Sequence, residues 1–120
     1  MNHICAGERV FADDTPLSIL DPGRGRTKTG RLWAYIRDDR PFGGTAVPVL
    51  VFYVTPDRTS SWPTRHLKGY NGILQVDGYA GFKQLTQDRK VHLAACWAHT
   101  RCKFYELDRI TDCHGSFVVL

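Results

Sequence analysis

Two aspartates stand in this sequence where acids could do chemistry. Asp13 lies inside an apolar first strand, and Asp77 stands where a short apolar strand stops at Gly78. An acid in the apolar heart of a sheet is costly unless it is paired, hydrogen-bonded or bound to a metal. If the two strands are neighbours, these side chains meet at one end of the sheet, and adjacent carboxylates bind a hard divalent cation through oxygen. Two such ions roughly 3.5–4 Å apart can clamp the attacking and leaving oxygens of a phosphoryl transfer. A plainer reading competes with this one. Asp77-Gly78 would be a simple turn, and Asp13 or Asp14 a solvated acid at a strand end. Residue types alone leave both open.

The second group is basic. Arg24, Arg26, Lys28 and Arg31 fall between Gly23 and Arg31 with no acid among them. The Gly-rich stretch Gly23–Gly30 invites comparison with a phosphate-cradling P-loop, but Thr27 stands where the glycine before the lysine is required, and a strand follows instead of a helix. A basic hairpin touching backbone phosphates fits better, because Lys and Arg neutralise phosphate charge without reading sequence. A solvated loop accounts for the same charges. The third group is Cys96, His99 and Cys102, with Cys113-His114 further on. Zinc takes such ligands, yet the paired two-plus-two spacing of zinc modules is absent. His99 falls in the first turn after a strand, within reach of the acidic pair.

The elements that must position these residues follow from periodicity. Strands are expected at Glu8–Leu20, Arg31–Arg37 and Val47–Val54, the third nearly continuously apolar and therefore buried. Asp21-Pro22-Gly23 is a turn, and Gly23–Gly30 a loop. A helix follows from about Trp62 to Tyr70, with Ser60 or Ser61 as its cap and Pro63 in its first turn. Then come a strand at Ile73–Val76, a helix at Tyr79–Leu85, a strand at Val91–Cys96 and a helix at Trp97–Leu107 with Trp97, Phe104 and Leu107 as core contacts. Three antiparallel strands followed by alternating helices and strands make an α+β chain with a mixed sheet.

Composition agrees with a folded domain. The chain has 120 residues, 42% hydrophobic and 23% charged, with a formal charge of +4. That excludes a disordered or fibrous chain and suits a single domain. No apolar run reaches the ~20 residues of a membrane span. The first residues lack the features of a signal peptide, so the cysteines are expected to be reduced thiols in the cytoplasm.

Several motifs, in order, resemble the insertion-sequence sixty-six family of bacterial transposases. They are Ala12-Asp13-Asp14-Thr15-Pro16, Leu20-Asp21-Pro22-Gly23, Arg26 to Trp33, Tyr35 with Arg37 to Pro41, and Pro56-Asp57-Arg58. Leu74 to Gly81 and Ala95-Cys96-Trp97-Ala98-His99 with Arg101 and Lys103-Phe104 continue the series. The resemblance covers roughly residues 8 to 110. It implies a ribonuclease-H-like fold, here incomplete at the C-terminus, and an Asp-Asp-Glu active site whose first two acids are Asp13 and Asp77. It implies Mg2+ or Mn2+ held by those acids, with His99 as a possible accessory group. The chemistry would be cleavage and strand transfer of DNA at transposon ends, on bacterial DNA in the cytoplasm and nucleoid; on the charge cluster alone, Arg24, Arg26, Lys28 and Arg31 are then expected on the phosphate backbone. Partners would be transposon and target DNA, and a second copy or a full-length transposase.

The departures from the family pattern carry expectations too. The family's glutamate lies beyond the Cys-Trp-Ala-His block, and Glu106 would sit roughly 13 Å along a helix from the sheet end. Cys102 stands where Arg is usual, and Ser60-Ser61-Trp62 replace acidic and His residues. The expected organisation is a partial catalytic core at 1–111 and a divergent tail at 112–120. Such a piece would be inactive alone. The alternatives are a non-catalytic DNA-binding or interaction remnant that modulates a full-length transposase, and a compact metal nuclease with a surrogate third acid.

Overall fold

The computed structural model describes residues 1–87 and 90–112, the last three as helix backbone. Five strands form one mixed sheet: β1 (Arg9–Asp21), β2 (Arg26–Arg37), β3 (Val49–Thr55), β4 (Gly72–Val76) and β5 (Val91–Ala95). Their spatial order is β3-β2-β1-β4-β5. The first three form an antiparallel meander, whereas β4 runs parallel to β1 and β5 parallel to β4. The expected α+β chain with a mixed sheet is what forms.

The helices are α1 (Asn2–Cys5), α2 (Ser61–His66), α3 (Gln84–Gln87) and α4 (Trp97–Asp112). Single 3-10 turns lie at Arg40–Phe42 and Ala80–Lys83. The helix expected to reach Tyr70 stops at His66, and Ser60 occupies its cap position without a side-chain capping bond. The helix expected at Tyr79–Leu85 is split between the second 3-10 turn and α3. The short α1, which sequence reasoning left out, inserts a fully buried Ile4. The boundary drawn between 111 and 112 falls in the last turn of α4. The divergent tail beyond 112, with Cys113-His114, lies outside the described residues. Among the described residues no helix is long and apolar enough to cross a membrane.

Side chains alternate across each strand, so the sheet has two unlike faces. Val10 and Ala12 of β1, Trp33 and Tyr35 of β2, Leu74 and Val76 of β4 and Val91 of β5 build one packed face. Ile4, Leu67, Tyr70, Phe82 and Leu85 complete the same cluster from outside the sheet. Rings interlock there: Trp33 meets Phe82 edge-on at 6.0 Å, and Trp33 Nε1–H donates to Thr55 Oγ1 at 2.8 Å. The other face carries Ile36, Leu50, Phe52 and Val54, all exposed.

This corrects two expectations. β3 is a half-buried edge strand and not a buried one. Its apolar run reports two apolar faces, only one of which is covered. The expected core contacts of α4 also fail: Trp97 is 82% exposed, and Phe104 and Leu107 are exposed as well. Beyond its first turn the helix leaves the sheet end.

The basic loop is a third correction. Instead of an open Gly23–Gly30 segment, β1 and β2 pair continuously from Phe11↔Ile36 to Asp21↔Arg26. Only residues 22–25 turn, with Gly23 and Gly25 at φ of +87° and +60°. Thr27 and Thr29, both β-formers, extend the ladder.

Candidate metal centre

Asp13 and Asp77 reach one place because β1 and β4 are adjacent and parallel. Their pairing keeps a constant offset of 64 residues: Arg9 with Ile73, Val10 with Leu74, Phe11 with Gln75. Two steps further the same offset places Asp13 beside Asp77, just past the last paired residues. Both then point to the same face, the one opposite the packed core. Gly78, at φ +95°, turns the chain immediately after Asp77, a conformation that favours glycine.

Each carboxylate is oriented by a local backbone donor. The Asp14 N–H donates to Asp13 Oδ1 at 2.9 Å, and the Tyr79 N–H donates to Asp77 Oδ1 at 3.0 Å. His99 joins them from the first turn of α4, its Nε2 3.8 Å from Asp13 Oδ2. Asp13, Asp77 and His99 each offer a ligand atom, and the three atoms lie within 4.8 Å of one another. The carboxylate oxygens not engaged by backbone N–H groups supply the hard donors a divalent cation needs, so the donor set fits such an ion. Two clefts flank His99. One, of about 410 Å3, is lined by Asp77, His99, Thr100, Lys103, Phe104 and Leu107. A smaller one of about 170 Å3 includes Asp13, Ala34, Gln75, Cys96 and His99.

Cys96 closes the group from behind. Its N–H donates to Val76 O at 2.9 Å, which ties the start of α4 to the residue before Asp77. The backbone N–H of His99 holds the Cys96 thiol below its ordinary pKa, aided by the His99 ring and the Ala98 N–H. In return the Cys96 side chain, and after it the Asp13 and Asp77 charges, raise the His99 pKa. Cys102 is exposed and stands apart from the group of Asp13, Asp77 and His99. Glu106 is likewise outside that group, its carboxylate facing Lys103 Nζ at 3.4 Å.

The structure also exposes a residue pair that sequence reasoning passed over. Asp14 follows Asp13, so it points to the opposite face, and its side chain is fully buried. Arg58 clamps it through Nε at 2.7 Å and Nη2 at 2.9 Å, and Arg31 Nη1 lies 3.4 Å away. Arg58 then reaches the second aspartate, with its Nη2 3.8 Å from Asp77 Oδ2. Its guanidinium stacks 3.9 Å over the Tyr79 ring, and Tyr79 O–H donates to the Arg58 carbonyl. A chain of contacts thus runs from Asp14 through Arg58 and Tyr79 to Asp77. The signal was present in one form: of two consecutive acids in a strand, one must face the core and needs a cation. Its partner, 44 residues away, has no local signature.

The basic cluster divides. Arg26 and Lys28 are exposed on the face that carries Asp13, with Lys28 six residue steps from the Asp13 partner Ala34, or about 20 Å along the strand. Arg24 sits in the turn, 3.6 Å from Asp21. Arg31 points the other way and is engaged by Asp14.

Fold and site together define an α+β protein whose mixed sheet gathers two acids and a histidine just past the end of its parallel β1–β4 pairing. Its sequence matches the family described as Transposase IS66 family over residues 1–114, and the chain belongs to that family. Similar proteins come from Sinorhizobium fredii (strain NBRC 101917 / NGR234). Uncharacterized protein y4qI is 46% identical over 114 residues, covering 89% of this chain and 21% of the relative. Uncharacterized protein y4hP is 46% identical over 109 residues, covering 88% and 19%. This chain therefore spans about a fifth of the length of these relatives. No solved structure matches it.

Proposed function

We propose that this chain is the metal-binding part of a ribonuclease-H-like transposase core, acting on DNA in the bacterial cytoplasm. The observation that carries the reading is the meeting of Asp13 and Asp77 just past the end of the parallel β1–β4 pairing, in a chain of the transposase family. Asp13 and Asp77 would hold Mg2+ or Mn2+, which supplies Lewis-acid polarisation of a phosphodiester and a more acidic attacking water or 3′-hydroxyl. The chain's own residues do the rest. Arg58 fixes Asp77 against Tyr79. Arg26 and Lys28 sit where a DNA strand leaving the centre would pass, about six nucleotides along at 3.4 Å each. The third carboxylate of an Asp-Asp-Glu site is not met by Glu106, so the chain alone binds metal and DNA without cutting.

A chimaera tests this. Residues 1–112 replace the matching segment of an active family transposase, and plasmid excision is measured. Excision is expected, and Asp13→Asn or Asp77→Asn should lower it at least a hundredfold. Excision that persists in the Asp77→Asn chimaera would overturn the assignment. Nicking of supercoiled plasmid by the isolated chain with Mg2+ or Mn2+ would favour the compact nuclease instead.

A further inference from the structure

We infer that His99 is a third protein ligand of the centre, so that this chain binds a borderline transition ion such as Mn2+ or Co2+ in preference to Mg2+. The inference rests on the carboxylate reading above and deepens it by naming the class of cation.

Geometry carries it. His99 Nε2 and Asp13 Oδ2 are 3.8 Å apart, too far for a hydrogen bond. Two donors on one tetrahedral ion with bonds near 2.1 Å stand about 3.4 Å apart. The gap is therefore close to one that a shared ion spans after a small closure. The ring is also aimed. Its Nδ1 is enclosed and has no hydrogen-bond partner among the described residues. A proton on the enclosed Nδ1 leaves the lone pair on Nε2, the nitrogen that faces Asp13.

Charge agrees. Asp13, Asp14 and Asp77 against Arg31 and Arg58 leave the group with a net charge of −1, one positive charge short of neutrality. The local elements keep the three donors fixed. Asp13 is held within β1, Asp77 by the Tyr79 N–H, and His99 by a helix whose start is bonded to Val76. An imidazole beside two carboxylates shifts preference along the divalent series away from Mg2+, which favours all-oxygen shells with several waters.

The test is metal binding by the isolated chain, with far-UV circular dichroism to confirm that each variant is folded. Co2+ binding is followed by its visible absorption, Mn2+ by loss of the free-ion electron paramagnetic resonance signal, and Mg2+ by competition. The wild type should bind Co2+ and Mn2+ more tightly than Mg2+. His99→Asn and His99→Gln should weaken Co2+ at least tenfold while changing Mg2+ by less than threefold. Asp77→Asn should weaken all three ions. Unchanged Co2+ affinity and spectrum in both His99 variants, with Asp77→Asn still defective, would overturn the histidine ligand and leave the carboxylate reading standing. Unchanged binding in Asp77→Asn would overturn the carboxylate reading itself.

Discussion

Replacing Asp14 by Asn tests how the centre is supported. The Asp14 side chain is fully buried and meets Arg58 at 2.7 and 2.9 Å and Arg31 at 3.4 Å. Asn keeps the shape and removes the charge, which leaves two guanidiniums facing an uncharged amide. Breaking a buried pair from one side costs about 3–5 kcal/mol. Both arginines are partly open to water, at 35% and 24% exposure, and recover some hydration. The expected loss is therefore near the low end, about 3 kcal/mol. With a urea slope of about 2 kcal/mol/M, the unfolding midpoint should fall by about 1.5 M. Tryptophan fluorescence reports the transition, since Trp33 lies at the centre of the packed face. Asp14→Asn with Arg58→Gln should cost less than the sum of the single changes, because the double variant removes both members of the closest pair and leaves only Arg31 facing the amide. A midpoint shift below about 0.3 M, or strict additivity, would refute the clamp.

Three further outcomes are expected. Burial draws His66 down to about 4, with the Arg65 charge acting in the same direction. Since its folded value lies below the unfolded one, stability is complete above pH 6.5 and declines as pH falls toward 4. Partial exposure limits the loss to about 1–2 kcal/mol, and urea midpoints should slope less with pH in His66→Gln; equal slopes would remove His66 as the cause. Gly30→Ala puts a methyl 2.6 Å from the Thr55 carbonyl on the neighbouring strand, so it should cost about 1–3 kcal/mol in the same unfolding assay, and a neutral result would show that β2 and β3 separate freely there. Neutralising Arg26 and Lys28 together should lower the salt slope of DNA binding by about 2, read by fluorescence anisotropy, whereas Arg31→Gln should leave it unchanged; matching effects would mean that Asp14 does not hold Arg31.

The candidate centre was legible in the sequence to the extent that local physics marks it. An acid in an apolar strand and an acid before a glycine turn stand out because burial makes charge expensive, and Asp13 and Asp77 do meet. His99 was legible as the first turn after a strand. Arg58 was visible only as part of a turn, because a contact between positions 14 and 58 leaves no periodic trace. The β1–β2 ribbon was cut short because glycines and cations read as loop, while alternation of Thr27, Thr29 and Arg31 on one face carried the strand through them. The apolar residues of β3 and α4 suggested burial, yet hydrophobicity states what a side chain prefers and not whether a neighbour covers it.

The sheet's pairing pattern has a mechanical consequence. β1 loses β4 after Phe11, and β2 loses β3 before Arg31, so residues from about 16 to 30 form a ribbon of two strands alone. A two-stranded ribbon is marginal by itself. Amide hydrogens there should exchange progressively faster toward Gly25, while Trp33 and Leu74 exchange only with global opening. The arm bearing Arg26 and Lys28 can thus bend at little cost, as the proposed contact with DNA would require, without disturbing the register of the sheet that carries Asp13.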